Sequence, residues 1–232
     1  ACEDRSLRPS SITIEDVFGE IHDIGNIFGI AQSAEAVANE LQANLDQVAN
    51  TFEDVDLSDI KVFWFDSFND DGVYAGACCG APGMIMDLLG VKNVFEDKEG
   101  SWATVSWEEV IACYPDVIVI VDASWDTELE KIEKLKEPRF ADMKAVRGES
   151  WVSIDFSYTT PNIRNVEAVQ IIGEYIHSTG LGDSTQVSSK SKKSSNEKDI
   201  ILIVVIIVFA IFVLSLTLLL YVFTCRDHDS LD

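Results

Sequence analysis

The chain has 232 residues, of which 40 are acidic and 17 basic, for a formal net charge of −23. A field of that sign repels phosphate backbones and excludes nucleic-acid binding. It also disfavours strongly anionic small ligands unless arginines reverse it locally. The five cysteines, Cys2, Cys78, Cys79, Cys113 and Cys225, match no zinc framework, and the adjacent Cys78 and Cys79 read as packing residues of a small-residue turn.

Residues 13–30, TIEDVFGEIHDIGNIFGI, place Ile14, Val17, Phe18, Ile21, Ile24 and Phe28 at helical spacing. Thr13 is the expected N-cap, with Glu15 and Asp16 complementing the first turn. A second helix is expected over 32–52 through Ala34, Val37, Ala38, Leu41, Leu45 and Val48, with Gly29 as the break between them. The period then changes: KVFWFDS (61–67) reads as a strand, followed by a long polar, glycine-rich loop. Its Asp66, Asp70 and Asp71 read as a solvated cluster rather than a cation site.

Pro82 opens a short helix that Gly90 closes. Ser106 and Glu109 form a capping box for the next helix, which Pro115 ends. DVIVIVD (116–122) is apolar on both faces, as a strand buried inside a sheet must be. A charged helix over 127–137, a strand at 151–154 and a helix over 165–177 complete the folded part. Strands that alternate with helices predict an α/β lobe of three layers, with a mainly parallel sheet covered by helices on both faces.

Beyond residue 180 the composition changes. Residues 181–199 are a Ser/Lys linker without core residues, and 200–224 is an uncharged apolar run interrupted by Ser215, Thr217 and Thr224. At helical rise those 25 residues reach roughly 37 Å, enough to cross a bilayer, so a single transmembrane helix with a short tail at 225–232 is expected. Lys190, Lys192, Lys193 and Lys198 precede the span and Arg226 follows it, a bias that by itself would hold the folded part in the cytoplasm. Residues 1–180 hold 34 acidic and 12 basic side chains, so nearly all the negative charge lies on the folded part.

Sites in α/β sheets form at the loops after strand ends. Phe68 and Tyr74, Trp125, and Phe156 with Tyr158 follow the three strands, and Trp102 precedes the capped helix. Aromatics gathered at one sheet edge suit a ligand surface. No GxSxG, HExxH or GxGxxG motif is present, and His22, His177 and His228 stand beside no nucleophile, so an enzyme is not expected.

In order and in motif, residues 10–178 resemble the C-terminal lobe of class III periplasmic binding proteins, the ferric-siderophore, haem and vitamin B12 receptors that feed ABC importers. The resemblance rests on TIEDVFGEIHDIGNIFG, similar to the interlobe helix, on YAGACCGAPGMIMDLLGVKNVF, on GSWATVSWEEVIACYPDVIVIVD, and on RFADMKAVRGESWVSIDFSYTTPN. It implies ligand contacts for Trp102, Tyr74, Trp125, Phe156 and Tyr158, pairing of Arg164 with an anionic ligand group, and docking of Glu108 onto importer arginines. It implies no intrinsic cofactor or metal, only ligand-borne ferric iron, and a binding domain outside the cell.

Two departures accompany the resemblance. Residues 1–12 stand where an N-terminal lobe would be, as a remnant of the interlobe entry, so the sequence reads as a piece of a longer protein. The C-terminal anchor is similar to that of algal iron-starvation surface receptors, which makes endocytic machinery the alternative to an ABC importer. The resulting expectation is a single-pass plasma-membrane receptor for a ferric siderophore, of hydroxamate type because the acidic field disfavours catecholates. Cobalamin or haem binding, or a non-catalytic adhesion or scaffold ectodomain, are the alternatives.

Overall fold

The lobe is built outward from two adjacent apolar strands. β1 (Lys61–Asn69) and β5 (Val117–Asp122) run parallel, with Val62, Phe63, Trp64 and Phe65 in register with Val117, Ile118, Val119 and Ile120. In the computed structural model, which describes residues 11–53 and 55–181, all eight of these side chains are fully buried. Strands apolar on both faces need cover on both, and the helices supply it.

The first face packs Trp64, Val117, Val119 and Val121 against four helices: α1 (Ile14–Ile27), α2 (Ala31–Thr51), α3 (Ala81–Leu89) and α7 (Asn165–Thr179). The second packs Phe63, Phe65, Ile118 and Ile120 against α4 (Trp107–Cys113), α5 (Glu128–Leu135) and α6 (Lys144–Arg147). β2 (Gly72–Gly76), β3 (Lys92–Asn93), β4 (Trp102–Val105) and β6 (Trp151–Asp155) complete a six-stranded sheet of order β4-β2-β1-β5-β6, with β3 beside the start of β1. The three-layer α/β expectation holds.

The sheet is less parallel than expected. β2 and β4 pair antiparallel, because the supposed loop after β1 is a hairpin: Asn69 Oδ1 accepts the N–H groups of Asp71 and Gly72 at 2.9 and 3.2 Å and turns the chain. Asp70 and Asp71 are exposed at that turn, but Asp66 belongs to β1 and is only part-exposed. Phe68 is not a loop aromatic either; it packs between Phe65 and Trp107, 5.9 and 6.0 Å between ring centres. One irregularity interrupts the hairpin. Phe65 pairs with Ala75 and Ser67 with Tyr74, so Asp66 is an extra residue, a β-bulge.

Helix ends follow the sequence closely. Thr13, Ser106 and Thr127 each close a capping box, with Asp16, Glu109 and Glu130 respectively. Gly29, at φ +70°, makes the break between α1 and α2. The apolar stripe of α1 is buried only at its start. Ile14 and Val17 meet the core, whereas Ile24, Ile27 and Phe28 are exposed, because farther along the helix packs on α2 alone. Cys78 and Cys79 are joined as a vicinal disulfide, not left as packing thiols. Among the described residues no helix is long and apolar enough to cross a membrane, and the expected span at 200–224 lies outside them, as do residues 182–199 of the linker and the tail; Leu181, expected to open the linker, packs instead against the core.

Gly83 in the first turn of α3 admits no side chain, since a Cβ there would stand 1.9 Å from the carbonyl oxygen of Cys78. Gly83→Ala is expected to destabilise the lobe by more than about 2 kcal/mol, read from urea unfolding, because backbone must move to admit the methyl. Glu109 accepts from the Ser106 N–H at 2.8 Å and from Lys98 Nζ at 3.0 Å, and these contacts hold its carboxyl down to about 2. A depressed carboxylate contributes stability that is complete above its unfolded pKa, near 4.5, and is lost as the pH falls towards 2. Ser106→Ala removes the Oγ that accepts the Glu109 N–H at 3.1 Å and donates to the Glu109 carboxylate at 3.0 Å, and is expected to cost about 1 kcal/mol at pH 7 and less at pH 2.5; an equal loss at both would leave the cap standing and remove the carboxylate's share.

Candidate functional site

The carboxyl ends of β1, β5 and β6 form one edge of the sheet, and the chain there is shaped by polar contacts that expose aromatic rings. After β5, Ala123 and Asp126 exchange backbone hydrogen bonds of 3.2 and 3.1 Å, leaving Ser124 and Trp125 at the tip of a tight turn. Lys131 on α5 pins that turn from below. It is fully buried, and its ammonium donates to the carbonyls of Val121 at 2.6 Å and Asp126 at 2.8 Å while pairing with Asp126 Oδ2 at 3.0 Å. Three donors meet three acceptors, which is the condition under which a buried ammonium is tolerated. Above it Trp125 is 72% exposed and lies edge-on to Phe156, 5.1 Å between ring centres and 71° between planes.

Phe156 opens a short 3-10 turn after β6. Asp155 Oδ1 accepts the Ser157 N–H at 2.8 Å; the Ser157 hydrogen bonds hold that carboxyl below its usual range, with the Arg164 charge adding a smaller pull. The segment that follows is tied by two asparagines. Asn162 Nδ2 donates to the carbonyls of Ser157 and Thr160 at 2.9 and 2.7 Å, and the buried Asn165 donates to those of Tyr158 and Thr160 at 2.8 and 3.0 Å. This fixes Arg164, exposed as the N-cap of α7, with its backbone N–H on Asn162 Oδ1 at 2.7 Å. Tyr158 turns inward onto the core, and burial, followed by the Glu167 hydrogen bond, pushes its phenol up.

Across β1 stands a second aromatic pair. Tyr74 on β2 and Trp102 on β4 stack at 5.6 Å with 14° between planes, Trp102 opposite Gly76 and Tyr74 opposite Thr104. Trp102 therefore belongs to an edge strand, where the sequence pattern suggested only a residue ahead of a helix. The structure thus gathers the predicted aromatics into two pairs on either side of β1 and β5, with Arg164 at the rim and Tyr158 largely withdrawn. Glu108 is elsewhere, exposed in the first turn of α4, while its neighbour Glu109 is consumed by the cap.

The edge is open. A cavity of about 380 Å³ is lined by Lys92, Phe95, Lys98, Glu109 and Cys113, and one of about 420 Å³ lies between α1 and the loop after β6, lined by Ile12, Glu15, Val17, Glu20 and Pro161. Among the described residues no three His, Cys, Asp or Glu side chains converge as a metal site. Sequence reasoning missed Lys131 and read Asp66 as solvated, whereas it is part-buried within β1. Lys131 is one lysine among several on a charged helix, and nothing in its spacing marks burial. The bulge that sets Asp66 apart depends on the partner strand.

Known proteins share this fold. The model of the family described as "Periplasmic binding protein" matches residues 7–158. A vitamin B12-binding protein of Pectobacterium carotovorum is 21% identical over 141 residues, 61% of this chain and 50% of that protein, so the chain spans about half the length of the curated relative it matches. A periplasmic binding protein of Veillonella parvula superposes with a TM-score of 0.64 at 30% identity, over 72% of this chain and 57% of its own. An ABC-type Fe3+-hydroxamate transport protein of Saccharomonospora viridis gives 0.64 at 22% identity, over the same shares of 72% and 57%. With the matching family model extending over more than half of its residues, the chain belongs to the periplasmic binding protein family.

Proposed function

We propose that the chain is a receptor lobe that captures a ferric siderophore of hydroxamate type for iron uptake, and that it binds its cargo without transforming it. The carrying observation is two aromatic pairs, Trp125 with Phe156 at the carboxyl ends of β5 and β6, where α/β folds take ligands, and Tyr74 with Trp102 on the neighbouring strands β2 and β4. Rings held in pairs by strands and pinned turns offer a flat apolar surface at low ordering cost. The charge supports the hydroxamate class. A net charge of −23 disfavours catecholates, and Arg164 is the one basic side chain among the predicted contacts. The hydroxamate transport relative agrees with this choice, whereas the B12-binding relative makes cobalamin the competing cargo.

The apolar run at 200–224 supports a single-pass anchor, with the lobe held outside the cell by the linker at 181–199. Glu108, presented at the start of α4, is the docking contact for the uptake partner, an ABC importer or an endocytic receptor.

Tryptophan fluorescence of the chain, titrated with ferrichrome, ferrioxamine B, haem and cobalamin, tests the cargo. Saturable quenching by a hydroxamate chelate is expected, weakened at least tenfold by Trp102→Ala, in line with roughly 1.4 kcal/mol or more for a stacked ring. Flat curves with a folded protein would remove the receptor reading, and saturation by cobalamin alone would replace the cargo. Glu108→Arg is expected to leave cargo affinity unchanged and to lower iron accumulation by cells expressing the chain. Unaltered accumulation would remove the docking role.

A further inference from the structure

Between β2 and β5 in the sheet, β1 carries a polar anomaly. Asp66 is the extra residue of the bulge, one position past Phe65, which pairs with Ile120 of β5 on one side and Ala75 of β2 on the other. It thus stands between Tyr74, the partner of Ser67, and the Val121 carbonyl that Lys131 holds. Bulges re-aim a side chain out of the alternation of its strand, and they are over-represented beside functional sites. The Asp66 carboxyl is poorly satisfied where it is. Its Oδ1 is buried without a hydrogen-bond partner, and so is the indole Nε1 of Trp64 two residues earlier on the same strand. Burial pushes the carboxyl up, against an opposing pull from Lys131 and Ser67. The Lys131 ammonium gives it no hydrogen bond, because its three donors are engaged by Val121 and Asp126.

A half-buried carboxylate with one oxygen unpaired and Ser67 as its neighbouring donor is less stable than a hydrated one, and a hydrogen bond from outside stabilises it more. Oδ1 itself is closed off, so a ligand on the aromatic edge can meet this part-exposed residue only through its other oxygen, Oδ2. Resting on the receptor reading above, we propose that Asp66 is the polar anchor of the site and selects cargo bearing a protonated amine. The acidic field of the lobe acts in the same direction, concentrating cations rather than anions at this edge.

Two chelates with the same ferric trihydroxamate centre isolate the effect: ferrioxamine B, with a pendant ammonium, and its N-acetyl derivative, without one. The chain is expected to bind ferrioxamine B at least about tenfold more tightly than the acetylated form, the scale of one charge-assisted hydrogen bond. Asp66→Asn is expected to abolish that preference while leaving the acetylated chelate unaffected, and Asp66→Glu to restore part of it. A merely structural carboxylate would change the melting temperature and leave the ratio of the two affinities alone. Binding of both chelates with equal affinity, or a preference that survives Asp66→Asn, overturns the anchor and leaves the receptor reading standing. Failure of both chelates to bind the folded chain overturns the two together.

Discussion

The parallel pairing of β1 with β5 is the constraint from which the rest of the lobe follows. Two strands apolar on both faces cannot face water on either, so the chain must supply helices above and below before they are stable. α3 and α7 close one side over Trp64 and Val119, and α4 and α5 the other over Phe63 and Ile120. Once those layers are in place, the carboxyl edge is the part of the strands left for polar loops and exposed rings. The exposed edge is thus a by-product of the way the core is closed.

At that edge the chain separates display from support. The exposed rings of Trp125 and Phe156 make few of the contacts that hold their loops. Those are made beneath them by Lys131, Asp126, Asn162 and Asn165, which satisfy backbone carbonyls left over where strands end. Polar groups of this kind contribute little net stability, but they fix one arrangement of the loop, since any other would leave a buried ammonium or amide without partners.

What the sequence made legible divides along physical lines. Capping boxes at Thr13 and Ser106, the glycine stops at Gly29 and Gly90, and the continuous apolar run of β5 are local signals, and each element stands where they place it. The hairpin of β2 and the strand β4 were hidden, because their glycines and short length read as loop and their pairing depends on distant partners. Trp102, Tyr74, Trp125 and Phe156 could be singled out as candidate contacts from the sequence, but their grouping into two pairs could not, because ring contacts across strands follow register. The burial of Lys131 was invisible for a similar reason. It is decided by a carbonyl ten residues away in sequence, at Val121, and not by the charged helix in which it sits.

The pinned turn under Trp125 bears on the kinetics of recognition. An indole carried on two residues, closed by a pair of backbone hydrogen bonds and braced by a buried ammonium, is held close to one position before any encounter. Little rotational freedom remains to be lost when a flat face settles against it, and no slow rearrangement of this turn need precede contact. On the proposed receptor reading, discrimination at this ring would appear in how long a cargo stays rather than in how fast it arrives. Related chelates that collide equally often would be sorted by their residence times on the indole.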